Sequence, residues 1–419
     1  MNDLPMPWKV IIVLFVLSIS AVNLSGQAHR AYAEEDVKNR YGIITKAETI
    51  RNFHGMDSAL QYLEYQRISE AEKNAALRYS YYANDTSYTQ VTSLDLSFMG
   101  LTTVPEFVFK YKNLRELNLS FNKISRLPRQ LKKLRHLEQI DLSGNGLDMA
   151  GFKSAKLDGI KSINLLWNNL SFLPKKVRKF KRTTTLNLNY NRFTAIPKRV
   201  RKFKSLEKLT INRNDLTDFG KHLRYAKKLK EFNFLEAHSS NIPEVPDEIA
   251  YLANLRGLDL SHNEINRISG QIGVLDSLMA LALHNNRLET IPEDLYQCEE
   301  LMSLTLHKNN LSRLPEGISK LRNMLVLFLQ NNALEYLPED MGHMEVEEIY
   351  VYNNRLTSLP ASFGNLSSLR HIKFNKTDIS EFPSQLLGLD RLESIDFTDS
   401  DITYLPAKIL ELEGLKLLS

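Results

Sequence analysis

Cysteine is nearly missing from this sequence: among 419 residues there is one, Cys298. A disulfide framework within the chain is excluded, and so is a metal or redox site built on several cysteines. Glycine (17) and proline (14) are too few for a collagen-like or proline-rich chain. Long hydrophobic runs are also lacking. The longest stretch, residues 10–22, has thirteen residues, short of the ~20 a helix needs to cross a bilayer. No phosphate-binding glycine loop, dinucleotide fingerprint, paired-histidine zinc helix or nucleophile elbow occurs. No enzyme and no cofactor are therefore expected. What is present, 43% hydrophobic and 25% charged residues, is enough to bury a core. As a single closed globule the chain would be oversized, which points to several domains or to a repeat array.

The short apolar run follows Lys9 and precedes small residues at Gly26-Gln-Ala28 and Ala31-Tyr-Ala33. That is the plan of a secretory signal cleaved after Ala28 or Ala33. Residues 1–33 are read as a signal peptide and the protein as exported, with no transmembrane span in the mature chain. Residues 34–90 are expected to form a helical cap. Thr45-x-x-Glu48, Ser58-x-x-Gln61 and Ser69-x-x-Glu72 are capping-box patterns, and Leu60, Leu63 and Leu77 offer a packing face.

Charge is unevenly spread behind a mild net +5. Residues 110–230 hold 31 Lys/Arg against 8 Asp/Glu, whereas residues 231–419 hold 14 against 29.

A repeat of 23 residues governs the rest. Leu114-Arg-Glu-Leu117-Asn-Leu119-Ser-Phe-Asn122-Lys-Ile124 fits L-x-x-L-x-L-x-x-N-x-L and is followed by Leu127-Pro128. The frame begins at Val91 and returns at Leu137, Ile160, Thr183, Leu206, Leu229, Leu255, Leu278, Leu301, Met324, Val346, Leu369 and Leu392, giving about fourteen units over 91–419. Alternating apolar residues such as Leu304 and Leu306 predict a short strand with one face inward. Asparagine at the strand end can satisfy turn backbone groups, and proline after the last apolar residue starts a return path on the opposite side. The unit read from Leu229 has three extra residues, placing an irregular unit at 229–254 with a loop at 235–243, either a kink or contact site or a surface insertion. Cys298 occupies an apolar slot of the repeat and is expected to be a packing residue.

The motif resembles that of the leucine-rich-repeat proteins, with units similar to the short bacterial type. The resemblance implies an α/β solenoid: a leucine-rich-repeat horseshoe with a parallel concave sheet, short helical or 3-10 segments on the convex side, and the helical cap before it. It also implies a non-enzymatic recognition scaffold that binds a protein on the concave face. Exported relatives from animals usually carry disulfide-bonded caps, so a single cysteine favours a bacterium, most simply a Gram-negative one.

Non-consensus strand positions are expected on the concave face, where two clusters stand out. Leu166, Trp167, Asn189, Tyr190 and Arg213 form the first; His284, His307, Phe328, Tyr350 and Tyr352 form the second. Exposed aromatics with Arg or His are typical binding hot spots, although rings on neighbouring strands can also stack only to stiffen a sheet. His262 lies close to His284 and His307, but no cysteine or carboxylate completes a metal set, and none is expected. The alternative function is polyanion or cell-envelope binding through a basic convex stripe over 126–230. Its core is Lys175, Lys176, Arg178, Lys179, Lys181 and Arg182, then Lys198, Arg199, Arg201, Lys202 and Lys204. An anionic envelope polymer would be drawn there; nucleic acid is not an expected partner, because no base-reading motif is present.

Overall fold

The structure, a computed structural model, describes residues 79–84, 88–147, 159–173 and 180–419. The chain divides into two units, residues 1–84 with 97–99, and the remainder. In the first, residues 79–84 are helical, and the rings of Tyr81 and Tyr82 meet edge to face at 5.4 Å. The expected signal peptide and most of the expected cap fall outside the described residues.

The second unit is one parallel sheet of fifteen strands, each bonded to its neighbours in chain order from Ser93–Asp95 to Leu417–Leu418. The register follows the repeat: Leu117 lies opposite Leu94 on one side and Ile140 on the other. Most strands are only three residues long because the third apolar residue of the motif already belongs to the turn. The strand leucines are buried throughout, Leu117, Leu209, Leu281 and Leu327 at 0–1% exposure. A fully buried leucine contributes about 1.5–3 kcal/mol, and stacking the same residue on itself every 23 positions joins these contributions into one continuous core.

Asparagine closes most of the turns by reaching back one unit. Asn122 Nδ2 donates to the carbonyls of Leu96, Leu119 and Ser120, while its Oδ1 accepts from the Leu101 amide. Asn145, Asn168 and Asn263 repeat the pattern. Where Thr183 replaces the first leucine of a unit, its hydroxyl donates to the Ile160 carbonyl at 2.9 Å, so the buried oxygen is satisfied. The chain then returns through short 3-10 segments, most of them entered from an extended proline: Pro128, Pro197, Pro292, Pro338 and Pro360. Proline fixes φ there and has no N–H to leave unpaired. Cys298 sits in this layer fully buried, its thiol donating to the Ile272 carbonyl, and burial pushes the thiol pKa up to about 12. It is a packing residue.

The irregular unit lies elsewhere than the sequence frame placed it. The strand is Phe234–Glu236, with Leu235 paired between Leu209 and Leu258. The unit therefore begins at Phe232, Leu235 is core at 1% exposure, and Ser240, not Ala237, fills the asparagine slot. Ser240 Oγ accepts the Asn214 amide and donates to the His238 carbonyl. The three extra residues are absorbed one unit earlier, where the return segment Phe219–Lys228 is ten residues long against five for its neighbour Lys198–Lys202. Leucine and phenylalanine are interchangeable as core residues, and that let the sequence frame slip by three. Residues 235–243 hold a regular strand and turn, and a separate two-stranded ladder, Glu244–Val245 with Arg267–Ile268, follows.

Candidate functional site

The residue before the turn-asparagine slot is left-handed in all fourteen units, with φ between 51° and 59°: Phe98, Phe121, Gly144, Trp167, Tyr190, Arg213, Ser239, His262, Asn285, Lys308, Asn331, Asn353, Lys376 and Asp399. The strand must turn sharply here to carry the asparagine inward. From Phe121 to Asn353 the amide of each such residue still reaches the next unit, as Trp167 N to Asn189 O at 3.0 Å and Tyr190 N to Asn212 O at 2.9 Å. Asparagine tolerates this conformation; aromatic side chains rarely adopt it. The second half of the solenoid uses Asn285, Asn331 and Asn353, whereas the first half places Phe121, Trp167 and Tyr190 there.

These rings touch one another. Phe121 meets Trp167 edge to face at 6.1 Å, Trp167 meets Tyr190 at 5.4 Å, and the Arg213 guanidinium lies 5.4 Å from the Tyr190 centroid. Phe121 spans two units because the intervening position is Gly144. A Cβ on Gly144 would come within 2.5 Å of the Phe121 ring. Trp167 remains 45% exposed, while Phe121, Tyr190 and Arg213 are half-buried. Leu166 and Asn189 stand beside the ledge, and a polar row of Asp141, Asn164 and Asn187 runs along the strands next to it. Of the residues in this chain of contacts, the sequence singles out Trp167, Tyr190 and Arg213 but not Phe121 or Gly144. The signal was available as the same repeat position one and two units earlier.

The second cluster differs from expectation. His284, His307 and Phe328 are 4%, 0% and 5% exposed, so they are not solvent-facing contact residues. They form a continuous ring ladder. His262 meets His284 at 5.1 Å, His284 stacks on His307 at 4.4 Å, His307 meets Phe328 at 6.2 Å, and Phe328 stacks on Tyr350 at 5.0 Å. Strands ~4.8 Å apart bring equivalent rings to stacking distance, and large rings flanking small strand residues exclude water. Burial, and then the neighbouring histidines, push the His284 pKa down to about 2; burial, and then Lys308, push that of His307 to about 3. Tyr350 donates to Glu348 Oε2 at 2.8 Å, and burial raises its phenol pKa; Tyr352, half-buried, is raised by burial as well. Among the described residues no group of three His, Cys, Asp or Glu side chains could hold a metal ion.

In the basic stripe, Lys175, Lys176, Arg178 and Lys179 lie outside the described residues. Lys181, Arg182, Lys198, Lys202 and Lys204 are exposed, and Arg199 and Arg201 half-buried, while Phe180, Val200 and Phe203 point inward. Arg199 donates to the Leu173 carbonyl at 2.6 Å. A groove of about 390 Å³ between Asp218–Lys221 and Pro243–Glu248 accompanies the lengthened return segment.

With this geometry in view, comparisons with known proteins point to the leucine-rich-repeat fold. Residues 89–147 match the leucine rich repeat model, and a leucine-rich-repeat protein of Leptospira interrogans superposes on 80% of this chain and 90% of its own at 26% identity, with a TM-score of 0.67. The chain carries leucine-rich repeats and has their solenoid fold. A plant peptide hormone receptor solved in complex with RGF2 is also similar, at 26% identity and a TM-score of 0.58, covering 78% of this chain and 55% of that one. An internalin of Listeria monocytogenes shares the fold at 18% identity and a TM-score of 0.52, covering 74% and 88% of the two chains. Among curated proteins none matches by sequence. Leucine-rich-repeat solenoids are in general protein-interaction scaffolds without enzymatic activity, and among the described residues no helix is long and apolar enough to cross a membrane.

Proposed function

We propose that this leucine-rich-repeat protein is an exported, non-enzymatic bacterial scaffold that recognises a protein ligand, with the ledge Phe121–Trp167–Tyr190–Arg213 as its contact surface. One observation carries the reading: aromatic side chains occupy left-handed positions where asparagine or glycine would be less strained. Non-glycine residues in that region cost about 1–3 kcal/mol each and persist at functional sites. Here they keep Trp167 45% exposed beside Tyr190, whose ring carries the Arg213 guanidinium, the composition of a binding hot spot. The solved relative bound to RGF2 shows a similar solenoid in complex with a ligand. The signal read in residues 1–33 supplies the exported location.

The test is affinity capture from the producing cell's envelope and culture medium, comparing the full chain with Trp167→Ala and Tyr190→Ala. We expect a polypeptide retained by the parent and lost from both variants. Equal retention by all three would remove the ledge from the account.

A second reading has its own observation. The cations Lys198, Arg201, Lys202 and Arg224 on the return side have no carboxylate partner among the described residues, in keeping with a surface that meets an anionic polymer.

A further inference from the structure

The return segments Lys198–Lys202 and Phe219–Lys228 pack side by side. Val200, Leu223 and Ala226 face the core at 0–3% exposure, which turns the intervening cations outward. Three of those cations converge on one ring. The guanidinium carbons of Arg201 and Arg224 lie 4.9 Å and 5.1 Å from the Tyr225 centroid, and Lys198 Nζ lies 5.6 Å from it. Arg224 also donates to the Tyr225 hydroxyl at 3.3 Å. That hydrogen bond, with the positive charge of Arg224 and Lys198, holds the phenol below its usual range, so the place favours negative charge.

Several cations elsewhere on the surface are paired, Lys208 with Glu236, Lys221 with Asp218 and Arg267 with Glu244. Among the described residues no carboxylate pairs with Lys198, Arg201 or Arg224, and the buried Arg201 Nε has no acceptor. The aromatic face offsets part of the repulsion among three like charges. A multivalent oxyanion would offset the rest, because two planar guanidinium forks and one ammonium suit a tetrahedral group with several acceptor oxygens.

We propose that Arg201, Arg224 and Lys198, gathered on Tyr225, bind a sulfate or phosphate ester group of an anionic polymer. This rests on the second reading above and narrows it to one site. The site stands apart from the aromatic ledge, so Trp167→Ala leaves it intact.

The experiment titrates the full chain with labelled dextran sulfate, uncharged dextran and inorganic phosphate, and confirms folding of every variant by circular dichroism. Dextran sulfate is expected to bind and dextran not. Arg201→Gln with Arg224→Gln should weaken binding by about 10-fold or more, the scale of lost charge-assisted hydrogen bonds. Lys181→Gln with Arg182→Gln, which removes the same charge elsewhere on the stripe, should change it by less than about 2-fold. Equal loss in both double variants would overturn the site while leaving the polyanion reading standing. Binding of phosphate alone, lost in the arginine variant, would keep the site and overturn the polymer as its ligand. Binding of neither would overturn both.

Discussion

Asn122 and Gly144 show how single residues set the architecture and the site. The asparagine amide is a short side chain that donates to three carbonyls and accepts an amide across two units, so its recurrence links most turns to the one before. Gly144 answers to two demands at once. Its φ is +59°, and a side chain there would strike the Phe121 ring that bridges towards Trp167. Gly144→Ala should therefore lower unfolding free energy by about 1–3 kcal/mol, combining left-handed strain with displacement of a ring. Gly146, two residues on, has open space around its Cβ position. Gly146→Ala is the matched control, and urea unfolding of the pair is the measurement. Equal stability of the two variants would contradict the role given to the Phe121–Gly144 contact.

At the scale of the element, the strand and its return segment were legible in the sequence because both follow from spacing. Leucines at fixed intervals, the asparagine and the proline each have one structural use, and the sheet register repeats them. The frame failed where that uniqueness lapses. Phe232 can stand for leucine, so the three extra residues were assigned to the wrong unit, and Leu235 was read as a surface residue when it is core. Burial across the sheet was likewise beyond the spacing. A histidine at a strand position reads as polar, and only the ring of the adjacent strand reveals that it is stacked and dry.

That ladder makes a pH prediction. An unfolded-chain histidine titrates near pH 6.5, whereas His284 and His307 are held at about 2 and about 3 when folded. Between those values the unfolded chain binds protons the folded chain refuses, so stability is full above about pH 6.5 and falls as pH drops below it. The slope is at most about 1.4 kcal/mol per pH unit for each histidine. Urea midpoints measured from about pH 7.5 to about pH 5, above the main carboxylate range, should decline for the parent chain. In the double variant His284→Asn, His307→Asn the decline should flatten. An undiminished decline would place the acid sensitivity elsewhere.

Across the whole molecule, the charge polarity and the aromatic ledge fall on different parts of the repeat. Among the described residues, many of the cations between 110 and 230 lie on the return path, where the 3-10 segments turn their apolar residues inward. The ledge belongs to the turns at the strand ends. The two proposed surfaces are separate, so a protein on the ledge and an anionic polymer on the return side would not compete. Composition alone could report only a net +5; the register assigns each charge and each ring to a place.

The central claim is that the ledge, rather than any exposed aromatic, is where a protein partner docks. The most direct measurement is photo-crosslinking in the full chain with benzoylphenylalanine in place of Tyr190, compared with the same probe at Tyr404, which is 73% exposed and remote from the ledge in the repeat. The account predicts a discrete polypeptide adduct at position 190, abolished by Trp167→Ala, and none at position 404. Adducts of equal yield at both positions, or an adduct at 190 that survives Trp167→Ala, would contradict it.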